Sequence, residues 1–294
     1  MFLYPDKLPD LQAYQIFSWL QKQKSYSEKE KSERLKSLID DEKIMIYQDE
    51  QGDIRGVIEY STWNSFIHGP SASMTISCEK SLDVIASIQK YAHQLILKFQ
   101  LDGVKMITAS VNDETEYIKE MMELSGLRPW YGYVCMKHDG RDLPECSLDK
   151  RVIQPEDFQA YCDVMGLCFV PMREAMDIRP YNVTDMFFHT EEKQRETYEG
   201  WMENQENTFM YKKDGKWVGS GLLTGEDIDD IFVLPEFQNH GFGREIVYDL
   251  VAVAKKKGIM PYIGYVKWNR WAGHLYESCG FVPYLSQTMY RKLL

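Results

Sequence analysis

IDDIFVLPEFQNHGFGREIVYDLVAVAKKKG, residues Ile228–Gly258, is the stretch that decides the fold. Ile228, Phe232, Val233 and Leu234 make a short β-prone apolar run, and Pro235 ends it by removing a ladder donor. Gln238-Asn239-His240-Gly241-Phe242-Gly243 follows as a glycine-rich loop. Apolar residues then recur at Ile246, Val247, Leu250, Val251 and Ala254, one stripe of a 3.6-period helix. Lys255, Lys256 and Lys257 suit the negative dipole end of that helix, and Gly258 stops it. Strand, glycine loop and helix in this order form a phosphate cradle. The first amides of a helix lack internal partners, and glycine lets the backbone come close to an anion.

Composition narrows the class. The chain has 294 residues, room for one large or two ordinary domains. Its 44% hydrophobic and 27% charged residues describe a globular protein. No apolar run approaches the ~18 residues of a membrane span. The first residues, MFLYPDKLPD, do not read as a signal peptide. Six cysteines without a CxxC pair argue against a disulfide scaffold or zinc site and point to a reducing cytoplasm. The histidines show no paired-ligand spacing either, so no metal is expected. A net charge of −11 argues against a nucleic-acid partner, which needs a basic face, and is compatible with a cationic substrate.

Along the chain, the pattern predicts helices over Leu11–Leu20 and Glu28–Ile39, strands over Lys43–Tyr47 and Ile54–Tyr60, and a third strand over Met74–Cys78. A long helix over Leu82–Phe99, a strand over Val104–Ala109, a helix over Glu114–Leu124 and a strand over Trp130–Met136 follow. The polar Asp139–Asp149 reads as a linker. Beyond it come a strand over Lys150–Ile153, a helix after Pro155 and a helix over Thr190–Asn204. A hairpin around Asp214-Gly215 precedes the organising stretch. Strand Tyr262–Trp268, helix Trp271–Ser278 and a closing strand from Phe281 complete the chain.

The two halves repeat one order of elements. Gly56 follows Ile54-Arg55 as Gly219 follows Trp217-Val218, and Tyr117 with Ser125-Gly126-Leu127 parallels Tyr276 with Cys279-Gly280-Phe281. The first copy has no glycine loop: Thr75–Ser81 contains no glycine to admit a pyrophosphate. The expected division is 1–138, a linker at 139–149, and 150–294.

Gln238-x-x-Gly241-x-Gly243 after a strand resembles the pyrophosphate-binding motif of the GNAT superfamily of acyl-CoA-dependent N-acyltransferases. Asn269-Arg270-Trp271-Ala272-Gly273-His274-Leu275-Tyr276-Glu277-Ser278-Cys279-Gly280-Phe281, about 26 residues further on, resembles the second signature of that family, Asn-x-x-Ala-x-x-Leu-Tyr-x-x-x-Gly-Phe. The resemblance implies an α/β (α+β) fold of two tandem GNAT-like domains, each a mixed, mostly antiparallel twisted sheet flanked by helices, with the first degenerate. It implies a sheet whose two central strands splay apart to admit acetyl-CoA or another short acyl-CoA. The pantetheine arm would pair near Phe232 and Val233. The pyrophosphate would meet Gln238, Asn239, His240, Gly241, Phe242, Gly243 and Arg244. Asn269 would contact the pantetheine arm, and Tyr276 would lie near the sulfur.

The implied reaction is direct attack of an amine on a thioester. A lysine-like amine must lose a proton at a cost of roughly 4.6 kcal/mol at neutral pH, an N-terminal-type amine about 1.4 kcal/mol. A base matters most for the former. Asp227 and Asp229 are two apart on the organising strand and share a face. Carboxylates on that strand serve as base in relatives, and this pair is the candidate here. Asp230 points the other way. The same aspartates also suit a strand end or local turn. Tyr276 would donate to the leaving thiolate, or else fill a packed helix face. Glu192, Glu196, Glu199, Glu203 and Glu206 line one helical face, either a wall attracting a small-molecule or peptide amine that is cationic, or a solvated surface. A non-catalytic acyl-CoA-binding or sensing protein is the competing class. Tyr276 and the aspartate pair favour the enzyme, since binding alone needs neither.

Overall fold

The computed structural model describes residues 2–3, 15–20 and 43–294. The helix expected over Glu28–Ile39 and the start of that over Leu11–Leu20 lie outside the described residues. The chain divides into two compact units, Met1–Trp130 with Gln287–Leu294, and Tyr131–Ser286.

In unit 1, β1 (Phe2–Leu3), β2 (Lys43–Gln48), β3 (Ile54–Ser65), β4 (Gly69–Cys78) and β5 (Met106–Asn112) lie side by side. Neighbours are antiparallel except β4 and β5, which run parallel through Ser71–Met106 to Met74–Ala109. Residues 15–20 are helical (α1), and Ile16, Trp19 and Leu20 bury against Ile44, Ile46 and Val57. The helix α2 (Leu82–Leu101) buries Val84, Ile88, Ala92, Leu95, Ile96 and Phe99, an apolar stripe at helical spacing. The shorter α3 (Glu116–Leu124) adds Ile118, Met121 and Met122 to the same core.

Unit 2 contains most of β6 (Arg128–His138), then β7 (Asp149–Val152), α4 (Phe158–Ala175), α5 (Thr184–Phe187) and α6 (Glu191–Glu203). The strands β8 (Thr208–Lys213), β9 (Lys216–Thr224) and β10 (Asp227–Val233) follow, then α7 (Phe242–Lys256), β11 (Tyr262–Val266), α8 (Arg270–Ser278) and the start of β12 (Phe281–Leu293). Its strands are ordered β6-β11-β10-β9-β8-β7. Only β10 and β11 are parallel neighbours among these. Asp214 and Gly215 both have positive φ, as a tight two-residue hairpin turn demands. One face of the sheet carries α7, whose Ile246, Val247, Leu250, Val251 and Ala254 pack on Val134, Met136, Val218, Ile228 and Ile263. A separate aromatic cluster joins Phe158, Tyr161 and Met165 of α4 to Phe232, with Tyr198 and Trp201 of α6 against it. Each unit is thus a mixed, mostly antiparallel sheet with helices against it, the fold class the sequence implies.

The units are not divided where the linker was expected. Residues 131–138 of β6 pair antiparallel with β11, from Tyr133–Val266 to Lys137–Tyr262. Gln287–Leu293 of β12 pairs antiparallel with β5, from Gln287–Asn112 to Leu293–Met106. Each unit takes the strand that sequence order assigns to the other half. The segment 139–148 has no regular structure, yet it belongs to unit 2. Leu148 is buried in the core, Lys255 Nζ donates to the carbonyls of Gly140 and Arg141 at 2.9 and 2.6 Å, and Ser147 N–H donates to Glu245 at 2.7 Å. A polar, Gly- and Pro-containing sequence reads as a linker because its few anchors are single residues.

Candidate active site

The parallel ladder between β10 and β11 ends at Ile228–Ile263, although β10 continues to Val233 and β11 to Val266. At the same point the register of β10 with β9 shifts between Asp229 and Phe232, and Asp230 adopts φ 47°. A bulge of this kind bends a strand and re-aims its side chains. Beyond it β10 and β11 have no paired residues. Gly219 on β9 accommodates the bend, since a Cβ there would collide with the Phe232 carbonyl and approach Ile246 Cδ1 to 2.9 Å.

The loop after β10 leads straight into α7. Gln238 Nε2 donates to the Val233 carbonyl at 3.1 Å, tying the loop to the strand. His240 Nδ1 lies 2.7 Å from the Gln238 carbonyl, and its ring stacks on Phe242. Asn239 and Gly241 both have positive φ, 62° and 86°. Gly241 is the N-cap residue of α7, and no heavy atom lies within 4 Å of where its Cβ would stand. Gly243 is used differently: a Cβ there would come within 3.3 Å of Leu275 Cδ1. One glycine supplies the left-handed turn, the other lets α7 approach α8. Gln238, Asn239, His240, Gly241 and Arg244 are exposed, so the helix N-terminus faces solvent.

Asn269 caps α8, its Oδ1 accepting the Ala272 N–H at 3.2 Å. Tyr276, on the same helix, is 8% exposed. Tyr265 meets it edge-on at 6.2 Å and packs over Gly273. Burial, then Tyr133, Asp229 and Cys279, hold the Tyr276 hydroxyl above its ordinary pKa, so it is a neutral donor. Tyr133 is held up the same way, by burial first, then by Cys135, Asp229 and Asp227. Asp229 is therefore within electrostatic reach of both phenols.

Asp227 and Asp229 are both exposed. The Asp230 N–H donates to Asp229 Oδ1 at 2.9 Å. Asp230 is half-buried, and Tyr161 OH stands 3.5 Å from its Oδ2. Burial and the Asp229 charge push its carboxyl up to about 6, against the hydrogen bond from Tyr161. The bulge, Tyr161 and Tyr133 escaped the sequence reading. A bulge needs no marker residue, and Tyr133 lay on a strand assigned to the other half.

The glutamate row of α6 is exposed: Glu192, Glu196, Glu199 and Glu203 face solvent, with Glu206 just beyond the helix. Lys193 pairs with Glu196 at 3.1 Å, and Tyr198 and Trp201 form the inward face. Among its described residues, unit 1 has no equivalent of the open loop. Tyr117 OH donates to the Cys78 carbonyl at 3.0 Å, and Arg55 pairs with Glu79 at 3.1 Å beside it. Among the described residues no group of three potential metal ligands occurs, and no helix is long and apolar enough to cross a membrane.

The end of the parallel ladder, the bulge of β10 and the glycine loop that opens α7 follow one another along this stretch of chain. Residues 174–281 match the family model described as acetyltransferase (GNAT) family, and this part of the chain is a GNAT domain. A GCN5-related N-acetyltransferase from Sphaerobacter thermophilus is similar in structure over 99% of this chain and 95% of its own, with TM-score 0.73 and 14% identity. A tandem GNAT protein from the clavulanic acid biosynthesis pathway aligns over 100% of this chain and 98% of its own, with TM-score 0.57 and 12% identity. A GNAT-family acetyltransferase from Colwellia psychrerythraea covers 100% of both chains at TM-score 0.54 and 12% identity. At these identities the likeness is one of fold, and it extends over the whole chain. No curated protein matches by sequence.

Proposed function

We propose that unit 2 is an acyl-CoA-dependent N-acyltransferase that moves an acetyl or other short acyl group to an amine by direct attack. Unit 1 would be a non-catalytic partner. The observation that carries this reading is the end of the β10–β11 ladder at Ile228–Ile263, directly before a solvent-facing left-handed glycine loop. Phe232 and Val233 lie beyond the last β10–β11 pair, and we assign a pantetheine amide to that side of β10, where the Val233 carbonyl already accepts from Gln238 Nε2. The open space at Gly241 and the free side of the α7 N-terminus suit a pyrophosphate. We assign Gln238, Asn239, His240, Gly241, Phe242, Gly243 and Arg244 to that role and Asn269 to the pantetheine arm. Acetyl-CoA supplies an activated thioester carbonyl.

The chain's own groups supply the rest. Asp229, or Asp227 beside it, takes the proton of the attacking amine, directly or through water. Tyr276, neutral and buried, donates to the departing sulfur. An ordinary phenol near 10 and a thiol near 8.5 already make full transfer uphill by about 2 kcal/mol, and burial of Tyr276 adds to that, so a hydrogen bond rather than transfer is the role assigned. The acceptor is a small-molecule or peptide amine, and an excess of acidic residues favours a cationic one. Six free cysteines agree with a cytoplasmic setting.

The test is thiol release from acetyl-CoA with a panel of primary amines, for wild type, Tyr276→Phe and Asp229→Asn. We expect amine-dependent release, with kcat reduced at least tenfold in each variant and acetyl-CoA KM within about twofold. Tight acetyl-CoA binding with no turnover on any amine would favour the non-catalytic binding protein.

A further inference from the structure

We propose that Tyr133 is a positioning residue of the acyl-transfer site, its hydroxyl orienting the acceptor amine together with Asp229 and Tyr276. This rests on the acyltransferase reading of unit 2. Val134 and Met136 of β6 are buried in the core under α7, so Tyr133 and Cys135 point from the opposite face of the strand. Asp227 and Asp229 are likewise offset by one from Ile228, which belongs to that core. β6 is paired with β11 by Cys135–Gly264, and Gly264 lies on β11 just beyond the last β10–β11 pair. Tyr133 leans across this glycine. A methyl group at Gly264 would fall on the Tyr133 hydroxyl and lie 2.7 Å from its Cε1.

The position of that glycine is informative. Gly264 does not have positive φ, and a glycine inside a strand weakens it, so conformation does not call for it. What it provides is room for a phenol to cross the strand. The hydroxyl so placed is in electrostatic reach of Asp229 and Asp227 on β10 and of Tyr276. These are the groups assigned to the proton and the leaving sulfur, on two elements other than β6.

A neutral phenol can accept from an amine N–H while donating to a carboxylate. Tyr133 would hold the amine with its lone pair towards the thioester as Asp229 takes the proton. No bond to Tyr133 forms or breaks, and its loss costs orientation rather than cofactor affinity. The strand that supplies it precedes the matched GNAT segment, residues 174–281, in the chain.

The test uses the full chain, acetyl-CoA and the best amine from the panel. Tyr133→Phe is expected to lower kcat about tenfold, with acetyl-CoA KM and calorimetric Kd within twofold and Tm unchanged. Gly264→Ala, which displaces the ring but keeps the hydroxyl, is expected to lose as much. The double variant should lose no more than the worse single, because both act through one group. An unchanged kcat in Tyr133→Phe, or a parallel rise in acetyl-CoA KM, overturns the proposal while wild-type turnover leaves the acyltransferase reading standing. Wild type that neither binds acetyl-CoA nor turns over removes both. If Gly264→Ala does not fold, Tyr133→Phe alone decides.

Discussion

Asp230→Asn is predicted to stabilise this protein at alkaline pH and to leave it unchanged in acid. Asp230 is half-buried in the β10 bulge, next to Asp229 and 3.5 Å from Tyr161 OH, with its carboxyl pushed up to about 6. In the unfolded chain an aspartate titrates near 3.9. Between those values the native state holds more protons than the unfolded one, so stability falls as pH rises through the window, and the penalty is complete above it. Ionising this carboxyl in the folded rather than the unfolded chain costs roughly 3 kcal/mol at most, and partial solvent access brings a working figure to about 2 kcal/mol. Asparagine keeps the shape, accepts from Tyr161 and tolerates the left-handed backbone, φ 47°, without the buried charge. Thermal unfolding followed by tryptophan fluorescence at pH 4.5 and pH 8 reads the difference. The variant should melt roughly 4–8 °C above wild type at pH 8 and level with it at pH 4.5. A variant less stable at pH 8, or an advantage of equal size at both pH values, would refute the reasoning.

Two further expectations concern the fold. Met136 is fully buried in the unit 2 core, so Met136→Ala should cost about 2–5 kcal/mol and loosen hydrogen exchange in α7 and β11. Protection lost instead in α2 and β5 would place β6 in the other unit. Asn269→Ala removes the α8 cap and should cost about 1 kcal/mol in urea unfolding. An undiminished midpoint would leave Asn269 without a structural role.

The periodic and punctuated parts of the chain were legible. The α7 stripe from Ile246 to Ala254, the stop at Gly258 and the Asp214-Gly215 turn are dictated by local chemistry and appear as read. The glycine loop was also legible, because Gly241 needs its left-handed φ and announces it. Strand partners were not. The residues of β6 and of β12 would suit the edge of either sheet, and alternation says which face is buried but not which neighbour pairs. So Val134 and Met136 were recognisable as core residues, but of the wrong half. The bulge at Asp230 was equally silent. Three consecutive acidic or β-branched residues give no sign of where a register shifts, and the alternation that placed Asp227 and Asp229 on one face breaks just beyond them. The row of glutamates on α6 was legible as a helix face, and it is exposed, with Lys193 paired to Glu196.

The measurement closest to the central claim is calorimetric titration with acetyl-CoA of wild type and Gly241→Asp. Gly241 is left-handed with open space around it, so aspartate there meets no neighbour and costs roughly 1–2 kcal/mol of backbone strain, and α7 should persist. Its carboxylate would occupy the anion position. We predict saturable one-site binding by wild type, weakened at least tenfold in a variant that still melts cooperatively well above the titration temperature. Absence of binding by folded wild type, or equal affinity in the variant, would contradict the account.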